Sequence, residues 1–471
     1  MNQHKQYLEE LLKKKSIGVA AKRQALFDAF FEEEGNKEKI TQIFENQEFM
    51  IEQWRIRNLV MDIQQQALRL PNAMAGKHYS FKFNPKELNW LDDIVQYQFE
   101  NLEEHGLYLN IKDEVLEGKP SQSGDFKLLF KFRVNGEADD SLLHEKIINF
   151  VVNPDPKSLW KNLPSDETDP YWKVDNVEEY AQLGDKNIVV SSKRGRSHAN
   201  VGSFRDDDYA FKHLESSGWS VVAVADGAGS AKFARQGSKI VCDKIIAYFE
   251  EKMTEDVSAT FDEIIKNYQQ DTENEDFKKT FYELRYSYLC GAAFAAHKAL
   301  EVFSTIKEVN IKDFHSTLIF SLFKKYDFGY VILTFGVGDC PIAVVNSDMS
   351  DMKLMNWLDV GEFGGGTRFI TMQEIFQHQN FATRQNFHII EDFKYLVLMT
   401  DGIYDAKFVV EANLEKLSEW QGFFDDLDGQ NTEDSKVVFS ADNENIAKQL
   451  SEWMDFWSPG NHDDRTLAVI F

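Results

Sequence analysis

The sequence predicts a multidomain α+β chain, and three observations predict it. Apolar residues recur at intervals of three and four up to about Leu70. The period changes to two from about Gly76. Beyond about Gly184, strand-like apolar runs alternate with helical stretches such as Ile240–Phe249. At 471 residues, 43% apolar and 13% aromatic, the chain is long enough for two or three folded cores.

The first element, residues 1–72, reads as helical. Leu8, Leu11 and Leu12, then Leu26, Phe27, Phe30 and Phe31, then Ile40, Ile43 and Phe44 share one helical spacing, and Pro71 closes the segment. Such a stripe serves either as core or as a seat for a partner helix, and core is the expectation. Residues 77–152 read as a small all-β sandwich, because Tyr79, Phe81 and Phe83, and later Phe126, Leu128, Phe130, Phe132 and Val134, alternate with polar neighbours. With Gly106-Leu107, Gly118-Lys119-Pro120 and Gly124-Asp125-Phe126 at its turns, this segment resembles bacterial immunoglobulin-like modules. Pro154-Asp155-Pro156 and the acidic stretch from Leu163 to Pro170 interrupt any period, so 153–183 reads as a linker and 184–471 as a further domain.

Composition bounds the function. With 78 acidic against 52 basic residues and a formal charge of -26, docking onto nucleic acid or an anionic membrane is disfavoured. The three cysteines, Cys242, Cys290 and Cys340, form no C-x-x-C spacing, which excludes a disulfide framework or zinc knuckle and fits a reducing compartment. The first residues contain no apolar core of signal-peptide length, and no apolar run is long enough for a bilayer, so the expected location is cytoplasmic.

The chemistry lies in the last domain. Val221 to Ala225 leads into Asp226-Gly227-Ala228-Gly229, Tyr395 to Thr400 leads into Asp401-Gly402, Asp463-Asp464 precedes the final strand, and Asp206, Asp207 and Asp208 form a fourth acidic cluster. One Asp-Gly at a strand end reads as a turn. Several in one domain can converge at neighbouring strand ends, where unpaired carboxylates repel unless a cation sits among them. A site of oxygen ligands favours magnesium, manganese or calcium over zinc.

These residues, in this order, resemble the type 2C, metal-dependent serine/threonine protein phosphatase family, in its divergent bacterial branch. The resemblance runs through Gly195-Arg196-Ser197-His198 with Arg205 to Tyr209, Val224 to Ser230, Ser316-Thr317, Gly336 to Asp339, Gly361-Glu362 with Thr367, Thr400 to Asp405, and Asp463 to Thr466. It implies two antiparallel sheets flanked by helices, a four-layer α-β-β-α domain, and hydrolysis of phosphoserine or phosphothreonine in proteins. It implies two divalent cations, Mn2+ or Mg2+, about 4 Å apart, which raise the acidity of a shared water. Carried over by position, Asp226 bridges the ions, Asp401 and Asp463 complete one shell, and the Gly227 carbonyl helps bind the other. The remaining ligand comes from the 206–208 group: Asp206 with Asp207 in support, or Asp208. Asp313 lies near the place of a third-metal ligand. The implied partners are a phosphorylated protein substrate and, beyond it, a partner kinase.

The sequence also departs from the family. Ala228 stands where many relatives carry a histidine that protonates the leaving alcohol, and His198 is the candidate to replace it. Gly202 stands where many carry the phosphate-contacting arginine, so that contact falls to Arg194, Arg196 or Arg205, of which Arg196 and Arg194 are the expected pair. Asp339 is expected to be a turn residue and Cys340 a packing residue. Gly364-Gly365-Gly366 is read as a flap or a plain loop, and Asp425 to Asp434 as a solvated insertion. Two other readings stay open: a catalytically weak or inactive scaffold on the same fold that binds phosphoproteins, and a hydrolase of small phosphoesters.

Overall fold

The structure, a computed structural model, describes residues 3–83, 88–90, 93–359, 366–377 and 379–471, with only the backbone at 379 and 380. The chain divides into two units, Met1–Leu159 and Trp160–Phe471.

In the first unit the three-and-four spacing forms helices α1 (Gln3–Lys14), α2 (Gln24–Glu32) and α3 (Glu34–Gln65). The alternating segments form strands β1 (Ala73–Met74), β2 (Tyr79–Lys82), β3 (Ile94–Glu100), β4 (Leu107–Asn110), β5 (Val115–Gly118), β6 (Gly124–Val134) and β7 (His144–Asn153), followed by the single turn α4 (Pro156–Leu159). Two sheets, ordered β1-β7-β6-β3 and β2-β5-β4, enclose Leu116, Leu128, Phe130, Phe132, Ile148 and Phe150, and the last turns of α3 add Ile56, Val60 and Ile63 to the same core. At Gly118 φ is +152°, and a Cβ would lie 2.1 Å from the Gly106 carbonyl oxygen, so the turn glycines are required by close approach of backbone.

The second unit holds strands β8 (Asn176–Leu183), β9 (Lys186–Lys193), β10 (Asp208–Leu214), β11 (Trp219–Ala225), β12 (Leu318–Tyr326), β13 (Gly329–Val337), β14 (Ile342–Asn346), β15 (Met352–Leu354), β16 (Gln385–Ile390), β17 (Phe393–Met399) and β18 (Arg465–Ile470). Its helices are α5 (Arg196–Val201), α6 (Ala234–Lys252), α7 (Glu255–Gln270), α8 (Glu275–Arg285), α9 (Gly291–Lys307), α10 (Gln373–Gln377), α11 (Asp401–Phe408), α12 (Leu417–Leu427) and α13 (Ile446–Trp453). Among the described residues the strands make two antiparallel sheets, β10-β11-β12-β13-β16 and β15-β14-β17-β18-β9-β8.

Alternation along each strand builds three cores. Val222, Val224, Ile319 and Ile332 meet Val190, Val344, Leu398 and Ala468 between the sheets. Val221, Ala223, Phe320 and Leu333 face α6 to α9, and Val189, Val397, Leu467 and Val469 face α11 to α13. The result is the four-layer α-β-β-α arrangement. Strands buried on both faces explain the near-continuous apolar runs, each fully buried Val or Leu contributing about 1.5–3 kcal/mol.

Two expectations are corrected here. Residues 176–183 are not linker: β8 pairs with β9 from Asn176↔Lys193 to Leu183↔Lys186. Residues 160–175 are also fixed in the second unit, where the Lys161 N–H donates to Asn200 Oδ1, the Leu163 N–H to the Ala199 carbonyl and Ser165 Oγ to Asp175. Prolines and acids erase periodicity there, but side-chain hydrogen bonds hold the backbone in its place. The acidic run from Asp425 is likewise more than solvated insertion. It begins inside α12, and Asp426 accepts from Lys407 Nζ at 2.8 and 2.9 Å and from Trp453 Nε1 at 2.6 Å.

Candidate active site

Ladder register aligns the acidic residues at one end of each sheet. Asp208 pairs with Ala225 across β10 and β11, so Asp207 falls beside Asp226. Met399 pairs with Leu467 and Arg465 with Lys193, so Asp401 falls opposite Arg465 and Gly402 beside Asp464, and Asp463 falls beside Gly195. All these residues lie at the same end of the two facing sheets. The glycines in these motifs serve close approach rather than turn angles. A Cβ on Gly402 would lie 1.9 Å from the Asp464 carbonyl oxygen, one on Gly227 2.5 Å from that of Asp206, and one on Gly195 2.3 Å from the Asp463 carbonyl carbon. Asp401 itself opens helix α11, where the amide end of the helix favours negative charge.

Electrostatics report the crowding. Burial, then Asp401, Asp207 and Asp463, pushes the Asp226 carboxyl well above its ordinary range. Burial, then Asp463 and Asp339, does the same at Asp401, and burial with Asp464 raises Asp463. Asp207 is fully buried and raised to about 7 by burial and Asp464. Its Oδ2 accepts from the Thr400 and Thr466 hydroxyls, both at 2.8 Å, while its Oδ1 has no partner. Asp401 Oδ1 and Asp339 Oδ1 are also buried without partners. Together these make a pocket of carboxylates with unused oxygens, and their negative charge lacks compensation within the cluster.

The 206–208 triplet divides by direction. Asp207 faces Asp226. Asp206 faces His198 and Asp464, and burial and Asp464 raise it to about 7. Asp208 points away: Lys173 Nζ lies 3.0 Å from its carboxylate, and the Lys173 and Arg205 charges outweigh burial to hold it low. The Asp208 side chain is therefore committed elsewhere.

His198 and Asp464 form the second part of the site. Asp464 Oδ1 and Oδ2 accept from the Gly195 and Asp206 backbone N–H groups, each at 2.5 Å, and both oxygens lie 3.0 Å from His198 Nδ1. Burial opposes charge on the imidazole, but Asp464, with Asp206 and Asp463 beyond it, prevails and raises its pKa to about 9. Nε2 faces Asp206 at 3.9 Å.

Neither arginine of the expected phosphate-binding pair is available. Arg194 donates to the Ser203 and Leu163 carbonyls and to Asn162, and pairs with Asp175 at 3.1 Å. Arg196 donates to the Asp455 and Phe456 carbonyls and lies over the Trp457 ring. Arg205 is buried against the Val174 and Asp207 carbonyls and Ser192. All three brace loops. Gly202 has φ +71° as the left-handed residue that ends α5, which accounts for a glycine where relatives carry arginine.

Three residues of the site escape the sequence reading. Asp339, expected to be a turn residue, has a carboxylate oxygen within 4.8 Å of ligand atoms of Asp226 and Cys340, and its Oδ2 accepts from Thr367 Oγ1 at 2.6 Å. Its signal was the same strand-end position that singled out Asp226. Asp464 was visible only as the neighbour of Asp463. Lys173, which also donates to the Asp207 carbonyl at 2.5 Å, carried no signal. Asp313 joins no acidic group among the described residues; its carbonyl accepts from the Phe233 N–H. Cys340 is buried, and its thiol is pushed well above its ordinary range by burial and the nearby aspartates. Gly361, Glu362, Gly364 and Gly365 lie outside the described residues.

A domain of facing antiparallel sheets with carboxylates gathered at one end defines a class, and the family follows. The profile described as Protein phosphatase 2C matches residues 194–455, more than half of the chain, and the chain belongs to that family. Among solved structures, it is similar to serine/threonine phosphatase Stp1 from Staphylococcus aureus, with 12% identity over 62% of this chain and 97% of that one and a TM-score of 0.35. It is also similar to the catalytic domain of the serine threonine protein phosphatase PstP in complex with two manganese ions, with 13% identity, 63% and 98% coverage and a TM-score of 0.33. A third is the S. agalactiae serine/threonine phosphatase, with 14% identity, 61% and 99% coverage and a TM-score of 0.33. No curated protein matches. Among the described residues no helix is long and apolar enough to cross a membrane.

Proposed function

We propose that this protein is a metal-dependent phosphatase of phosphoserine and phosphothreonine in proteins. The observation that carries the reading is the convergence of Asp207, Asp226, Asp401 and Asp463: burial and the other carboxylates of this group raise Asp226 and Asp401, and burial with the neighbouring Asp464 raises Asp207 and Asp463. Unpartnered buried oxygens on Asp207, Asp339 and Asp401 fit a hard divalent cation pair such as Mn2+ or Mg2+. Asp226, Asp401, Asp463 and Asp206, with the Gly227 carbonyl, would hold the pair. Bound there, the pair would supply an acidified water as nucleophile and neutralise charge on the phosphoryl oxygens.

The chain's own residues then position and exchange protons. Asp207, held by the Thr400 and Thr466 hydroxyls, fixes the floor against which Asp226 is oriented. Asp464 fastens Nδ1 of His198, so the imidazolium keeps a proton on Nε2 at neutral pH for the leaving alkoxide. With Arg194, Arg196 and Arg205 engaged, we assign the phosphate contact to Arg368, an exposed cation that follows the Thr367 whose hydroxyl donates to Asp339. The substrate protein and a partner kinase belong to the same proposal.

The test is hydrolysis of p-nitrophenyl phosphate and of a phosphothreonine peptide with added Mn2+. The wild type should turn over both and Asp226→Asn neither; turnover that persists in chelator would refute the mechanism. The commitment of all three arginines favours one alternative, a binding scaffold without turnover. Tight Mn2+ binding with no hydrolysis of any phosphopeptide would select it.

A further inference from the structure

Helix α3 runs for 32 residues and carries apolar side chains on two opposite faces. At 3.6 residues per turn, Ile56, Val60 and Ile63 occupy one side, and that side packs into the core of the sandwich. Ile43, Met50, Trp54 and Met61 fall within about 40° of one another on the opposite side. They are 48%, 66%, 66% and 51% exposed. Their spacing of seven, four and seven is that of a heptad seam, completed by Gln47 and Arg57 at the two intervening positions, both exposed. The expectation that the helical stripe is core holds for Phe27, Phe31 and Ile40 but not for Leu26, Phe30 or Ile43, the last of which lies on this face.

We propose that this face is a homodimer interface in which α3 pairs antiparallel with α3 of a second copy. The occupant follows from the seam's own symmetry. Antiparallel pairing about residue 52 sets Ile43 against Met61 of the copy, Met50 against Trp54, and Gln47 against Arg57, so every apolar side chain meets an apolar one and the single cation meets an uncharged amide, whose oxygen also accepts from the Tyr7 hydroxyl at 2.5 Å. Parallel pairing would set Arg57 against its own copy, a like-charge contact in a seam. The area also suffices. Ile43, Met50, Trp54 and Met61 offer roughly 550 Å² in their exposed state, so a symmetric pair buries at most about 1,100 Å², just above the ~1,000 Å² that a specific interface needs. The interface is isologous and closes after two chains.

The test is the mass of the full chain by light scattering across a concentration series, together with cysteine cross-linking. The wild type should be a dimer, and Met50→Glu/Trp54→Glu a monomer with unchanged helix content and a dissociation constant raised about a hundredfold or more. The double variant Gln47→Cys/Arg57→Cys should form a reducible cross-linked dimer, and neither single variant should, since the native cysteines are buried. A wild type that stays monomeric would overturn the proposal. A dimer that survives the glutamate pair, or a cross-link through either single cysteine, would overturn it equally.

Discussion

Replacing Asp464 with asparagine in the metal-free protein keeps the size of the side chain and removes its charge. In the wild type each carboxylate oxygen accepts one backbone N–H, from Gly195 and from Asp206, and both oxygens face His198 Nδ1. An amide has one oxygen, so one of those N–H groups meets an NH2 instead and goes unpaired, at a cost of about 1–3 kcal/mol. The larger effect is on His198. Its side chain is 15% exposed, and its pKa of about 9 against an ordinary 6.5 corresponds to roughly 3 kcal/mol. Because the folded-state value is raised, this stabilisation is fully present below about pH 6.5 and is lost as pH rises through about 9. In Asp464→Asn the largest charge holding the imidazolium is gone, and with only Asp206 and Asp463 left to oppose burial the ring should titrate well below its wild-type value. The assay is an NMR titration of the His198 ring in chelator, with urea denaturation at pH 6 and pH 9.5. The wild type should lose on the order of 3 kcal/mol more than the variant between those pH values. A wild-type ring titrating near 6.5, or equal losses in both proteins, would refute the reasoning.

Asp226→Asn should abolish metal-dependent turnover, by about a thousandfold or more, while raising the metal-free melting temperature, because it relieves carboxylate crowding at a buried site; calorimetry in chelator reads the second effect. Gly402→Ala places a Cβ against the Asp464 carbonyl and should cost about 1–3 kcal/mol and weaken Mn2+ binding, measured by denaturation and by calorimetric titration. Arg194→Ala should lower stability with little change in KM, since its partners are loop carbonyls, Asn162 and Asp175. Arg368→Ala should raise KM about tenfold with stability unchanged, consistent with loss of one charged phosphate contact; steady-state kinetics on a phosphopeptide separates the two arginines.

What was legible in the sequence was whatever depends on local order. Asp226, Asp401 and Asp463 stand at strand ends in an apolar context; ladder pairing aligns them within each sheet, and packing of the two sheets brings Asp226 within electrostatic reach of the other two. The arginines were not legible, because Arg196 is claimed by carbonyls at 455 and 456, some 260 positions away. The 206–208 register could not be decided from spacing, since three consecutive aspartates point in different directions. The Asp208↔Ala225 pair and Lys173 decide which one turns away. The Asp-Gly pairs read as turns because glycine's tolerance of unusual angles is the commoner reason for it. At Gly402 the reason is a backbone passing within the space of a methyl group, which no single segment of sequence can express. The stretch 160–175 looked like linker for a related reason: its order comes from polar side chains at distant positions, not from periodic burial.

The central claim is that carboxylates from β11, α11 and the approach to β18 share a pair of cations. Anomalous diffraction from a crystal of the protein soaked in Mn2+ tests it most directly. The account predicts two peaks about 4 Å apart, with Asp226 between them and Asp401 and Asp463 against one. No peak in this cluster, or manganese bound only at other acidic surfaces, would contradict it.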